Sequence, residues 1–193
     1  MNNSRIAAIA GLGIVTAIVL AGCSAASIDP VSSTHSVTVT ISGGHDTDPV
    51  DKGRPVVLVA AALGVPTEVF REAFSGVTPA GAGEQPQDDQ VKLNKSALLK
   101  VLAPYGITNE QLDAASNFYR YNGSSGETWA HTDATATAVL TDGKVTSITV
   151  TTAGAGYSST PTVTLSNGQT ATASIAYGTD TATNGSIESI SLD

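Results

Sequence analysis

Cysteine is almost missing from this chain, which has a single one, Cys23, among its 193 residues. One cysteine excludes an internal disulfide and any zinc site built on thiolates. Cations are scarce as well: 9 Lys and Arg stand against 17 Asp and Glu, for a formal charge of −8 at pH 7. Such a surface repels phosphate backbones, so nucleic acid is not an expected partner, and it offers no basic patch to anionic lipid head groups. Charged residues total only 13% and aromatics 5%. Gly, Ser, Thr and Ala fill the second half instead, a composition that suits a turn-rich extracytoplasmic β protein better than a cytosolic enzyme. The sequence has no G-x-S-x-G nucleophile elbow. Glu127 has no evident carboxylate partner for glycoside hydrolysis.

The one long apolar run lies at the start. A short positive segment ending in Arg5 precedes residues 6–20, which are apolar but broken by Gly11 and Gly13. That is short of the about 20 apolar residues a membrane-spanning helix needs, and it has the layout of a signal peptide, residues 1–22. It ends in Leu20-Ala21-Gly22-Cys23, which resembles the lipobox of bacterial lipoproteins. The resemblance implies cleavage before Cys23 and a diacylglycerol on its sulfur, so that the chain is tethered to a membrane by lipid. Loss of Arg5 then leaves the remainder one unit more negative. Ser24, where an aspartate would favour inner-membrane retention, implies the outer membrane in a Gram-negative host. Residues 23–34 are small and polar and read as a flexible tether.

The remainder divides at a change of pattern. Residues 35–133 read as a strand followed by helices. Val37, Val39 and Ile41 alternate with Ser and Thr, which is strand period. Residues 56–63 after Pro55 suit a helix, although Val56-Val57-Leu58-Val59 is also strand material. Residues 67–74 place Val69, Phe70, Ala73 and Phe74 on one helical face. Residues 76–90 read as a loop, and Asn94 as the cap of a helix through Leu102. Thr108 and Gln111 have capping-box spacing, with Ile107 and Leu112 as the hydrophobic staple.

Residues 134–193 read as β hairpins. Asp142-Gly143 between alternating stretches is a hairpin signal. Ala171-Thr172-Ala173-Ser174-Ile175 echoes Ala136-Thr137-Ala138-Val139-Leu140. The stretch from Asn184-Gly185 to Ile190 echoes that from Asp142-Gly143 to Ile148, which reads as two degenerate copies of one unit. Val150, Gly154, Gly156, Tyr157, Pro161 and Val163 resemble a small β module of phage tail and bacterial surface proteins, a resemblance that names no chemistry. The expected fold class is therefore α+β: a short helical region, then an antiparallel hairpin-built β region with two degenerate repeats.

Few residues suggest chemistry. His45, Asp46, Asp48 and Asp51 cluster as oxygen-rich metal ligands do, with calcium the favoured ion, but the glycine and distal glutamate of an EF-hand are out of register. Tyr121 and Trp129 are the aromatics that helical period leaves unexplained, and so the binding candidates for a glycan, whereas Phe118 and Tyr119 read as core. His131 and Asp133 with Ser124 or Ser125 would be the material of a hydrolase triad, although spacing offers it no support. The leading expectation is a non-enzymatic, lipid-anchored envelope protein that binds or assembles with an envelope protein or glycan. A calcium- or carbohydrate-binding module is the alternative, and an atypical hydrolase the second.

Overall fold

The computed structural model describes residues 33–78 and 87–193. The expected signal peptide, Cys23 and nearly all of the expected tether lie outside the described residues, as does most of the expected loop at 76–90. Residues Ser32–Asp193 form one compact unit.

Six strands make one antiparallel sheet: β1 (Thr34–Ser42), β2 (Thr135–Thr141), β3 (Lys144–Thr152), β4 (Thr162–Leu165), β5 (Thr170–Ala176) and β6 (Ser186–Leu192). Their spatial order is β3-β2-β1-β4-β5-β6. The first strand is central: its first half pairs with β2 (Val37↔Ala138) and its second half with β4 (Ile41↔Val163). The expected boundary at residue 134 thus divides strands of one sheet, and the helices are an insertion between β1 and β2. The sheet nearly closes on itself, because the Ile187 N–H on β6 reaches the Ala153 carbonyl just past β3 at 2.8 Å. That contact brings the two edge strands, β3 and β6, together at one end of the sheet.

The alternation read from the sequence explains the inner face. Ala138, Val163, Leu165, Ala173 and Ile187 are buried together with Tyr157, while the intervening Thr and Ser face outward. Asp142 and Gly143 both take positive φ, 52° and 78°, as a two-residue hairpin turn demands. The two hairpins share a register. In the first, Ala138 faces Ile148 and the pairing shifts between Val139 and Leu140; in the second, Ala173 faces Ile190 and the shift falls between Ser174 and Ile175, while a further shift in the first, between Thr135 and Ala136, has no counterpart in the second.

The insertion holds α1 (Val56–Ala62), α2 (Thr67–Ser75), α3 (Asp88–Leu102) and α4 (Asn109–Phe118). The ambiguous run after Pro55 is helix, with Val56, Leu58, Val59 and Ala60 buried against Phe70, Ala73 and Phe74 of α2. The capping box at Thr108 is present in both directions: the Gln111 N–H donates to Thr108 Oγ1 at 3.2 Å, and the Thr108 N–H donates to Gln111 Oε1 at 2.9 Å. The third helix corrects two expectations. It begins at Asp88, where Asp88 and Asp89 favour a helix N-terminus, although Val91 and Leu93 point outward and no apolar stripe announces this turn. Asn94 is therefore interior to the helix and caps nothing. Its side chain binds the segment that leaves α2, accepting from the Thr78 N–H at 2.9 Å and donating to the Thr78 carbonyl at 2.7 Å.

Candidate functional site

The residues expected to gather around a metal do not converge. Asp48 caps a 3-10 turn at Pro49–Asp51 by accepting from the Val50 N–H at 3.0 Å. Asp51 is 3% exposed and gripped by Arg71, with Nε to Oδ1 at 2.7 Å and Nη2 to Oδ2 at 3.0 Å. Asp46 is held by its backbone to Ser158 and Ser159, at 2.6 and 3.1 Å. His45 turns inward instead, its ring 4.9 Å from that of Tyr157 and 4.2 Å from that of His131. Among the described residues no three His, Cys, Asp or Glu are grouped as a metal ion requires.

Around His45 the chain is tightly built. A Cβ on Gly44 would fall 2.6 Å from the Tyr157 ring, and one on Gly156 2.7 Å from His131 Cβ. The Tyr157 hydroxyl accepts from the Ala134 N–H at 2.9 Å. The Gly-Ala-Gly-Tyr segment thus locks the sheet to the 130–134 stretch, which explains its small residues without a ligand. His45 Nε2 is enclosed and, among the described residues, has no hydrogen-bond partner. Burial, and next the neighbouring His131, hold the His45 pKa below its ordinary value, while Asp133 and Asp46 pull it upward.

Among the described residues no hydrogen bond joins His131 to Asp133, Ser124 or Ser125. His131 Nδ1 lies 2.8 Å from the Trp129 carbonyl, which only accepts, so Nδ1 carries the proton. Ser124 and Ser125 are bonded to Asn122 at 2.6 and 2.7 Å, in a loop of their own.

The two binding aromatics part company. Trp129 is 2% exposed and its Nε1 donates to the Gly156 carbonyl at 2.8 Å. It offers no face to a glycan, and this expectation is corrected: the indole is core, and its one polar atom is satisfied within the protein. Tyr121 is half-buried, packs edge-on to Trp129 at 5.4 Å, and donates its hydroxyl to the Gly53 carbonyl. Phe118 also departs from expectation, being 40% exposed beside the buried Tyr119.

That Tyr121–Gly53 bond joins two segments that together line a cavity of about 350 Å³: Lys52, Gly53 and Arg54 on one side, Tyr119, Arg120, Tyr121 and Gly123 on the other. The volume is in the range of small-ligand sites. Lys52 and Gly53 both take left-handed φ, 49° and 78°, and so turn the chain sharply after the 3-10 turn. Arg54 is half-buried over the Phe74 ring, 5.6 Å from guanidinium to centroid. Burial, and next the charge of Arg120, push the Arg54 pKa below its ordinary value. Arg120 follows the end of α4, its N–H on the Asn117 carbonyl at 3.2 Å.

No family model, curated protein or solved structure matches the chain. The site therefore rests on its own geometry. The cavity is not legible in the sequence, because net charge averages over the chain. Of nine Lys and Arg in all, three line one cavity, but Lys52 and Arg54 lie far in sequence from Arg120. The one legible signal was Tyr121, singled out because helical period did not explain it.

Proposed function

We propose that this chain is an extracytoplasmic lipoprotein, anchored to a membrane through acylated Cys23, whose folded domain binds or assembles with an envelope component and performs no covalent chemistry. The anchoring half is supported by Leu20-Ala21-Gly22-Cys23 after an apolar run. The observation that carries the binding half is the cavity lined by Lys52, Arg54, Arg120 and Tyr121, which is open to solvent and built from two segments that a hydrogen bond pins together. In a Gram-negative host the anchored domain belongs at the outer membrane. Among the described residues no helix is long and apolar enough to cross a membrane.

Expression of the full chain with radiolabelled palmitate tests the anchor: label is expected on the wild type and absent from Cys23→Ala. Cross-linking in intact cells tests the binding role and is expected to trap a discrete envelope component. Turnover of a generic ester, peptide or glycan substrate by the purified chain would overturn the non-enzymatic reading.

We also infer that the β2–β3 and β5–β6 hairpins are degenerate copies of one unit. The matched register shifts, between Val139 and Leu140 and between Ser174 and Ile175, support it, since a bulge is a built feature of a hairpin. Replacing residues 171–175 by the sequence of 136–140 is expected to leave cooperative unfolding intact, whereas loss of folding would count against common design.

A further inference from the structure

We propose that the Lys52–Arg54–Arg120 cavity binds the oxyanion group (carboxylate, phosphate or sulfate) of a small acidic ligand, with Tyr121 forming the wall beside it. The inference rests on the binding role proposed above and names its chemistry. Of the other cations among the described residues, three are ion-paired. Arg71 is paired with Asp51 and Glu68, Lys92 with Asp89, and Lys95 with Asp113. Lys100 and Lys144 are exposed and have no ion pair among the described residues, so a solvated, unpaired cation is also ordinary here. The cavity differs in bringing three cations together, one of them half-buried, and among the described residues no carboxylate lies within ion-pair distance of Lys52, Arg54 or Arg120. Asp51, the carboxylate closest in sequence, is already taken by Arg71.

Arg54 is half-buried and feels the charge of Arg120, so an anion joining the two would relieve its electrostatic cost. Guanidinium N–H groups form a planar fork that fits two oxygens of a carboxylate or phosphate. Contact with Phe74 holds the Arg54 fork in place before a ligand arrives, and the Tyr121–Gly53 bond sets the width of the opening. The strongly negative remainder of the surface opposes a polyanion. It therefore favours a small ligand that carries a single acidic group, such as an acidic sugar or a phosphate ester.

Thermal unfolding of the full chain in a neutral detergent tests this, with sodium phosphate, sulfate, D-glucuronate, glucose and calcium each compared with sodium chloride at matched ionic strength. At least one oxyanion is expected to raise the midpoint saturably, and glucose is expected to do nothing. Which of the three salts acts identifies the group. Arg120→Gln and Lys52→Gln, both exposed, should keep the unliganded midpoint and raise the half-saturating concentration about tenfold or more, as losing a charged hydrogen bond does. Arg54→Gln should abolish the shift; if its loss from Phe74 prevents folding, the exposed variants decide. No oxyanion effect beyond chloride, or an unchanged response in Arg120→Gln, overturns the proposal. A shift with calcium or glucose alone would overturn the oxyanion while leaving the binding role standing. A silent panel with no cross-linked partner would remove both.

Discussion

Asn184 Nδ2 donates to the Tyr119 hydroxyl over 2.8 Å, and the same amide donates to the Leu58 carbonyl at 2.8 Å. Asn184 is fully buried in the connection between β5 and β6, Tyr119 closes α4, and Leu58 lies in α1. One side chain therefore ties the core of the sheet to the core of the helices, and its Oδ1 is satisfied by the Gly178 N–H at 3.2 Å. A buried polar group with every bond made specifies one docking geometry, because any other leaves it unpaired.

Asn184→Ala leaves the Leu58 carbonyl and the Tyr119 hydroxyl without their partner, and is expected to cost about 2–4 kcal/mol. Tyr119→Phe should cost only about 1 kcal/mol. Urea unfolding of both variants checks the order. Equal stabilities would mean that the amide does not join the cores.

Removing Arg71 strands a buried charge. Arg71→Met leaves Asp51 at 3% exposure without its cation, and the expected loss is about 3–5 kcal/mol. Lys92→Met, at an exposed pair, should change stability by under about 1 kcal/mol. Unfolding curves measured side by side would separate the two.

Gly185 cannot take a side chain. Its φ is +71°, and a Cβ would fall 2.6 Å from the Tyr157 carbonyl and 2.7 Å from Leu58. Gly185→Ala is expected to destabilise by more than the about 1–2 kcal/mol of left-handed backbone alone. Gly143→Ala, with a similar φ but open space around it, should stay near that figure. The difference in urea midpoint measures the steric part.

Stability should fall on mild acidification. His45 is held below its ordinary 6.5, chiefly by burial, so the unfolded chain binds a proton that the folded one resists. The stabilisation is complete above about pH 6.5 and declines as pH drops through and below it, ending once the folded histidine is protonated too. Melting between about pH 8 and about pH 5 is expected to show this slope, and His45→Gln to flatten it.

Local structure was legible wherever one short-range force governs it. The period-two runs of β1 and β2, the Asp142-Gly143 turn and the Thr108 capping box depend on neighbours within a few residues, and each stands where the pattern put it. The start of α3 was not legible, since Asp88 to Asn94 owes its order to a helix dipole and to the distant Thr78 backbone, not to an apolar stripe.

Alternation, turn chemistry and the lack of cysteine are properties of the chain itself, and they determined an α+β protein with hairpins and no disulfide. Tertiary structure alone decided which of two adjacent aromatics is buried, why the four expected metal ligands disperse, and where cations meet. Trp129 and Tyr121 are alike in sequence, but Gly156 supplies an acceptor that draws the indole inside. Lys52, Arg54 and Arg120 become one site only when the chain returns after α4 to lay Tyr121 against Gly53. Charge acts through space, and the sequence carries no record of distances between residues that only folding brings together.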